Sequence, residues 1–581
     1  MSPMTGSFDR SAALRRMADT QFDVLIIGGG ITGAGCALDA ASRGLRTALV
    51  ERDDFASGTS SKSSKLVHGG LRYLQQGDVR LVYEALHERQ RLRRNAPHLV
   101  KVMPFLLPVF TDKTGVVPRK LARALGTIMW GYDLTGGYRI GKLHKRVSVD
   151  EAIAHMPTLR RERLAPSYLY YDAQADDARL TLTIARTAAT DFAAAVANHV
   201  EVIEILKDHD GRARGARVRV AGSNGRTPPE FDIRAAAVVN AGGVWADDVR
   251  ALDERDHPHL IRPAKGIHIT VPWAKVQNDI AAVIPVPKDK RSVFVVPWGD
   301  FTYIGTTDTD YDGPIDDPQC TREDVEYLLR AINASVSTDI TPADVTGTWA
   351  GLRPLVRDAG SSRTADLSRR HRVLRSDSGV VTITGGKLTT YREMAADTID
   401  EVLEKVLEPA RSADGGTQSI LDRVQRHSRT KRLRLRGAEG YDDVLAASGT
   451  HTVVDQHTVE HLAHRYGGET RTLLAMVERD ATLAEPLVPG LPYLRAEAVF
   501  AARYEMVSSI DDVLSRRTRA RLLARDASAD AAPEVALLLA ADMGWDEAAQ
   551  ARQVAAYRAA VAEEREAPGL PQTALDAAIG A

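Results

Sequence analysis

Cysteine is nearly absent: Cys36 and Cys320 are the only two in 581 residues. That excludes a disulfide framework and a cysteine-rich zinc site, and it suits a reducing, cytoplasmic compartment. No apolar run approaches the roughly 18 residues of a membrane-spanning helix. The N-terminus lacks the charged start, apolar middle and small-residue cleavage site of a secretory signal. The expectation is a chain that does not thread through a membrane, with surface attachment left open. An excess of one charge is also missing: 76 Lys+Arg against 77 Asp+Glu leave a net charge of −1. No global field then draws in nucleic acid, and any anion recognition has to be local. Repeats, low-complexity tracts, metal-ligand spacings, a nucleophile elbow and a Lys-containing phosphate loop are all missing from the sequence.

What remains is an ordinary globular composition, 44% hydrophobic and 26% charged, on a chain too long for one core. The polar start reads as a short helix or arm over 1–20. Phe22-Asp23-Val24-Leu25-Ile26-Ile27 is a compact strand-forming run, followed by Gly28-Gly29-Gly30-Ile31-Thr32-Gly33, a helical pattern over 34–43 and a second strand over 46–50 that closes on Glu51. That is a βαβ unit. Between about 170 and 310, strand-like runs at 217–220 and 235–239 alternate with helical stretches such as 180–197. Beyond about 419 the pattern turns alanine-rich and helical. The expected fold class is an α/β, Rossmann-like nucleotide-binding core with an interleaved, sheet-containing second domain over 21–415, and a C-terminal all-α domain over 416–581.

The Gly28-x-Gly30-x-x-Gly33 pattern has physical requirements behind it. The first glycine makes a tight turn, the second lets backbone approach a pyrophosphate, and the third lets helix pack closely on strand. Glu51, about 20 residues on, suits a pair of ribose hydroxyls. A dinucleotide is indicated, with NAD and FAD both open at this step. The next segment, Ser57-Gly58-Thr59-Ser60-Ser61-Lys62-Ser63-Ser64-Lys65, is dense in hydroxyls and backbone donors. It reads either as a solvated loop or as the cradle of an extended cofactor.

The stretch Ser63-Ser64-Lys65-Leu66-Val67-His68-Gly69-Gly70-Leu71-Arg72-Tyr73-Leu74, placed after that fingerprint, resembles the FAD-dependent glycerol-3-phosphate dehydrogenases. Further matches are Asn240-Ala241-Gly242-Gly243-Val244-Trp245, Lys265-Gly266-Ile267-His268, Gly351-Leu352-Arg353-Pro354-Leu355 and Gly385-Gly386-Lys387-Leu388-Thr389-Thr390. Asp511-Asp512-Val513-Leu514-Ser515-Arg516-Arg517-Thr518-Arg519 is similar to the family's C-terminal helical domain. The resemblance covers nearly the whole chain, in order, and implies that the core is FAD-binding and the interleaved domain an antiparallel-sheet substrate domain.

It implies FAD, held by Gly28, Gly30, Ile31, Thr32, Gly33, Glu51, Arg52, Thr59, Ser60, Ser61, Ser64, Lys65, Leu66, His68, Gly69, Gly70, Ala241, Gly242, Trp245, Gly386, Lys387, Leu388 and Thr389. It implies sn-glycerol 3-phosphate as substrate, with hydride passing from C2 to the flavin and electrons to a membrane quinone. The substrate phosphate calls for Arg72, Tyr73, Arg353, Arg369 and Lys387, since bidentate arginine geometry suits a dianion. His68 is the base candidate because its ordinary pKa lies near neutrality, with Arg353 orienting the hydroxyl. The helix expected to begin at 385–390 would aim its N-terminus at the flavin. The implied location is cytoplasmic and peripheral at the inner face of the cell membrane, with a homodimer left open and no nucleic-acid partner.

A helix over 117–132, apolar at Leu121, Leu125, Ile128, Met129 and Tyr132 and basic at Arg119, Lys120 and Arg123, reads equally as interfacial or core-facing. An amphipathic stretch over 496–514 ends in Arg516, Arg517 and Arg519, read as a solvated or interdomain helix end. The competing readings are an oxidase that passes electrons to oxygen, an amine or amino-acid oxidase, and a flavin-binding redox sensor.

Overall fold

The computed structural model describes residues 6–70, 78–110, 122–221, 228–254, 258–287, 289, 291–356, 370–410 and 415–575. The apolar run near the N-terminus forms the strand Phe22–Ile27, buried at every position. A strand covered on both faces has no solvent side to fill with polar residues, hence the continuous Val, Leu and Ile. Its one charged member, Asp23, is satisfied by the Arg46 backbone N–H at 2.6 Å and the Arg46 guanidinium at 2.9 Å.

Among the described residues this strand sits inside an eight-stranded sheet, in the order Arg372–Arg375, Val381–Thr384, Glu230–Asn240, Phe22–Ile27, Thr47–Val50, Ala195–Ala197. The neighbours run parallel apart from the Arg372–Arg375 edge, and the antiparallel pair Val200–Lys207 and Ala213–Val220 branches from the start of Glu230–Asn240. Register places Ile27 beside both Val50 and Asn240. The three chains therefore leave the sheet side by side, at Gly28, Glu51 and Ala241, where connections depart to opposite sides and open the crevice of a doubly wound sheet.

Helices Ile31–Ser42, Asp177–Phe192 and Tyr391–Glu401 share a core on one face of this sheet. The N-terminal helix Arg10–Asp19 and the antiparallel branch share another. Two expected boundaries move. The helix begins at Ile31 rather than 34 because Gly30 serves as its N-cap. The helix expected over 180–197 stops at Phe192, where Ala193 turns left-handed at φ 55°, and Ala195–Ala197 pairs with Thr47–Val50 instead. An alanine run carries no breaker, so tertiary pairing decides it.

Among the described residues the second sheet has ten strands and is antiparallel except where Ala281–Pro285 runs beside Lys101–Phe110. The chain enters it at Leu66–Val67, straight from the hydroxyl-rich loop, and Gly347–Val356 lies along Ile261–Pro272 with Arg353 opposite Ala264. Beyond residue 415 the described elements are helical. The stretch over 496–514 is two pieces, the helix Arg495–Tyr504 and the turn Asp512–Arg517.

The helix Ala122–Leu134 buries Met129 and Tyr132 completely and exposes Trp130 and Leu134. The apolar face weighed as interfacial thus points into the protein at those two residues, while Arg119, Lys120 and Leu121 lie outside the described residues. Among the described residues no helix is long and apolar enough to cross a membrane.

Candidate active site

The crevice above Gly28, Glu51 and Ala241 opens into a trough of about 370 Å³ that continues to Gly385, Gly386, Lys387 and Leu388. Its first part is shaped by glycine. Gly28 has φ +110°, and a Cβ there would come within 2.6 Å of the Ala241 carbonyl oxygen. A Cβ on Gly33 would lie 1.9 Å from the Gly28 oxygen, so this residue seats the helix on the strand. Gly30 faces the open side and would meet only Ser60 Oγ, at 3.2 Å. No side chain caps the helix Ile31–Ser42 and its first turn has no acidic residue. Ser60 Oγ takes Ile31 N, and the helix dipole together with the N–H groups that follow favours an anion, the requirement of a pyrophosphate.

Glu51 stands at the neighbouring strand end. Its carboxylate accepts from Gly29 N at 2.5 Å and Asp53 N at 2.9 Å. Burial pushes its pKa up to about 7, against those two hydrogen bonds. Val200 and Val202 wall this end of the trough. Arg52 and Trp245 form a rim: the guanidinium lies 5.1 Å from the indole, and both donate to Asp316 at 2.7 Å.

The hydroxyl-rich segment divides its labour. Thr59 and Ser60 line the trough, with Ser60 Oγ accepting from Ile31 N at 2.9 Å. Ser61, Ser64, Lys65 and Leu66 turn inward. The Lys65 ammonium, 2% exposed, lies 3.3 Å from Asp177 and 4.5 Å from the Trp349 ring, and burial lowers its pKa to about 8 against the pull of Asp177. Ser64 Oγ is 2.8 Å from Nε2 of His268, whose ring stacks on Trp349 at 4.7 Å. Burial, then the charges of Lys65 and Arg353, hold His268 well below its ordinary pKa, so its imidazole is neutral.

At the far end, Gly385 and Gly386 take φ +77° and +81°, turning the chain into Leu388–Thr390 and the helix Tyr391–Glu401. No side chain caps this helix either. Thr389 Oγ1 accepts from His68 N at 3.2 Å, which brings the base candidate to the same turn. Gly69 N is tied to Tyr132 and Asp172, each at 3.2 Å, and Gly70 has φ +78°. Arg353 donates to Asp308 at 3.1 Å and to Thr306 Oγ1 and the Thr307 carbonyl at 3.2 Å, and its neighbour Pro354 lines the trough. Arg72, Tyr73 and Arg369 lie outside the described residues.

A family model for FAD-dependent oxidoreductases matches residues 23–392, and one for the C-terminal domain of alpha-glycerophosphate oxidase matches 428–550. Glycerol-3-phosphate dehydrogenase 2 of Mycobacterium tuberculosis (strain ATCC 25618 / H37Rv) is 41% identical over 568 residues, covering 96% of this chain and 91% of that one. The chain belongs to the glycerol-3-phosphate dehydrogenase family of FAD-dependent oxidoreductases. The mitochondrial glycerol-3-phosphate dehydrogenase of Homo sapiens is 37% identical, over 94% of this chain and 74% of that one. The glycerol-3-phosphate dehydrogenase of Bacillus halodurans, solved in complex with FAD, superposes with a TM-score of 0.74 at 30% identity, over 95% and 96% of the two chains.

Membership in this FAD-dependent family settles the cofactor, and the trough fits it: glycine cradle, helix N-terminus and half-buried acid for one half, a second helix N-terminus at the other end. Of the residues marked for FAD in the sequence, Gly28, Gly30, Ile31, Thr32, Glu51, Arg52, Thr59, Ser60, Ala241, Gly242, Trp245, Gly386, Lys387 and Leu388 line one continuous space. Gly33, Ser61, Ser64, Lys65, Leu66, His68, Gly69, Gly70 and Thr389, marked with them, do not line it. Val200, Val202, Pro354 and Met394 also line it and were not anticipated. His268 was visible only as part of a quoted motif.

Proposed function

We propose that this enzyme oxidises sn-glycerol 3-phosphate to dihydroxyacetone phosphate and delivers the electrons to a membrane quinone. When bound, FAD supplies the two-electron acceptor that takes the C2 hydrogen as hydride. The chain's part is to bind, orient and move the remaining proton. Arg353, fixed by Asp308, the Thr306 hydroxyl and the Thr307 carbonyl, orients the C2 hydroxyl. The His68 imidazole accepts that hydroxyl proton as the C2–H bond breaks and the ketone forms. Lys387 engages the phosphate together with Arg72, Tyr73 and Arg369. The N-terminus of the helix Tyr391–Glu401 favours negative charge at the adjoining end of the trough.

The observation that carries this reading is the convergence at the Gly385–Thr390 turn: Lys387 and Leu388 line the trough there, and Thr389 holds the His68 backbone at 3.2 Å. Surface attachment next to a quinone pool is supported by Val79, Tyr83, Trp130 and Leu134, all exposed, on two helices that share a core through Val82, Leu86, Met129 and Tyr132. Anaerobic addition of glycerol 3-phosphate to the holoenzyme should bleach the flavin absorbance, and a quinone analogue should restore it. A flavin that stays oxidised under excess substrate would overturn the proposal; bleaching reversed only by oxygen would replace the quinone with oxygen.

A further inference from the structure

Away from the trough, a groove opens between the last turn of the helix Val79–Asn95 and the chain at 431–434. Six of its eight lining residues are cationic, namely Arg91, Arg93, Arg94, Lys431, Arg432 and Arg434, and none is acidic. It shares no lining residue with the trough.

Neighbouring cations are neutralised by carboxylates, and those facing the groove are mostly not. On the helix, Arg89 pairs with Asp172, and Arg91 with Glu88 and Glu393. In the second segment Arg423 pairs with Asp23, Arg426 with Glu408 and Arg436 with Glu469. Among the described residues, Arg93, Arg94, Lys431, Arg432 and Arg434 make no ion pair with a carboxylate. Arg93 and Arg434 instead donate to neutral oxygens, Gln90 Oε1 at 3.0 Å and the Ala438 carbonyl at 3.4 Å. Burial, then the like charges of Arg89 and Arg94, lower the pKa of Arg93.

A helix dipole accounts for arginines on a last turn. It does not account for three more cations brought from a distant segment. They are held in place by Asn95, which is 5% exposed: its side chain donates to the Thr430 carbonyl at 3.1 Å, across 335 residues of sequence, and its carbonyl accepts from Leu435 N at 2.8 Å. Like charges fixed together without a counter-charge raise the energy of the folded protein unless an anion joins them.

We propose that this groove is a second anion site, built for the oxyanions of a phosphate group. Planar guanidinium forks match phosphate oxygens bidentately, and ammonium adds a point charge. The phosphate belongs either to a small soluble phosphorylated compound or to a phospholipid headgroup at a membrane surface.

The test uses the intact holoenzyme with two probes: calorimetric titration with inorganic pyrophosphate, and co-sedimentation with phosphatidylcholine vesicles containing phosphatidylglycerol. The comparison is a triple variant, Arg94→Gln, Lys431→Gln and Arg432→Gln, all at exposed positions. The native protein should bind at least one probe, less tightly as salt rises. The triple variant should bind it at least about tenfold more weakly, with flavin content unchanged. Pyrophosphate binding assigns a soluble ligand, and vesicle binding alone assigns a headgroup. Arg426→Gln, an exposed and paired arginine outside the groove, should bind like the native protein. The proposal is overturned if the native protein binds neither probe, if the triple variant binds as well as the native protein, or if Arg426→Gln loses as much. None of these readouts needs flavin reduction or glycerol 3-phosphate, so the result stands apart from the proposed activity.

Discussion

Glu51 carries an acid where burial makes charge costly. With its folded pKa raised from the ordinary 4.5 to about 7, the folded state of the apoprotein holds a proton that the unfolded chain has already released. Stability from this group is therefore full below about pH 4.5 and is lost as pH rises through about 7. Ribose hydroxyls that donate to the carboxylate favour its ionised form, so FAD affinity of the apoprotein should run the other way and strengthen as pH rises towards 7. Glu51→Gln should flatten both slopes and weaken FAD binding by roughly ten- to a hundredfold, the loss expected for a charged hydrogen-bond partner. Urea midpoints of the apoprotein and FAD titrations between pH 5 and 8 check this; an unchanged pH slope in the variant would remove Glu51 as its source. The residue was legible because its spacing from the glycines follows from strand geometry. Val200 and Val202 were not, because only the parallel pairing of Ala195–Ala197 with Thr47–Val50 brings their chain to the Glu51 end of the trough. His268 was legible as a residue but not as a neutral imidazole, which depends on Trp349, Lys65 and Arg353 meeting around it.

At the scale of elements, the fingerprint strand and helix were readable to within a few residues, and the same physics makes them brittle. The Gly33 Cβ position lies 1.9 Å from the Gly28 oxygen, and backbone cannot yield as a side chain would. Gly33→Ala should lift the helix N-terminus from the strand and from the pyrophosphate position together. The expected product is a folded protein with a much lower flavin-to-protein absorbance ratio and a stability loss of about 1–3 kcal/mol. Gly30→Ala meets only Ser60 Oγ at 3.2 Å, so it should lose flavin with little change in the apoprotein's melting temperature. If both variants retained full flavin, close backbone approach at this turn would be ruled out. Elements failed to be legible where composition was uniform. The alanine-rich stretch over 180–197 hides the left-handed Ala193 and an edge strand, and the apolar face of Ala122–Leu134 could not be assigned to core or surface until its neighbours were in place.

For the whole molecule, the near-zero net charge conceals charges buried in pairs. Asp54, three residues after Glu51 and 1% exposed, accepts from Arg516 Nε at 2.6 Å and from Arg517 Nη1 and Nη2 at 2.6 and 2.8 Å. Arg519 pairs with Asp176 and Asp177, and Arg179 with Glu505. The basic run over 516–519 is thus the seam that fastens the C-terminal helices to the FAD-binding sheet. Desolvation makes such pairs poor sources of net stability, but removal of one partner leaves a charge buried alone. Asp54→Ala leaves Arg516 its pairs with Asp511 and Asp512 but leaves the buried Arg517 only Glu505, whose carboxylate is 3.9 Å away, and should cost about 3 kcal/mol, the low end for a broken buried pair. Asp54→Leu with Arg517→Met, which removes the under-paired Arg517 guanidinium and keeps the volume apolar, should cost less than Asp54→Ala. Because Asp54 continues the chain from Glu51, Arg52 and Asp53, the single variant should also release FAD at a lower temperature than the double variant does. Urea unfolding followed by tryptophan fluorescence, with flavin fluorescence recorded on heating, separates the two. If Asp54→Ala lost less than about 1 kcal/mol, the Asp54 pairs would rank with surface contacts, and the helical extension would be held by the Arg519 and Arg179 pairs and its apolar contacts.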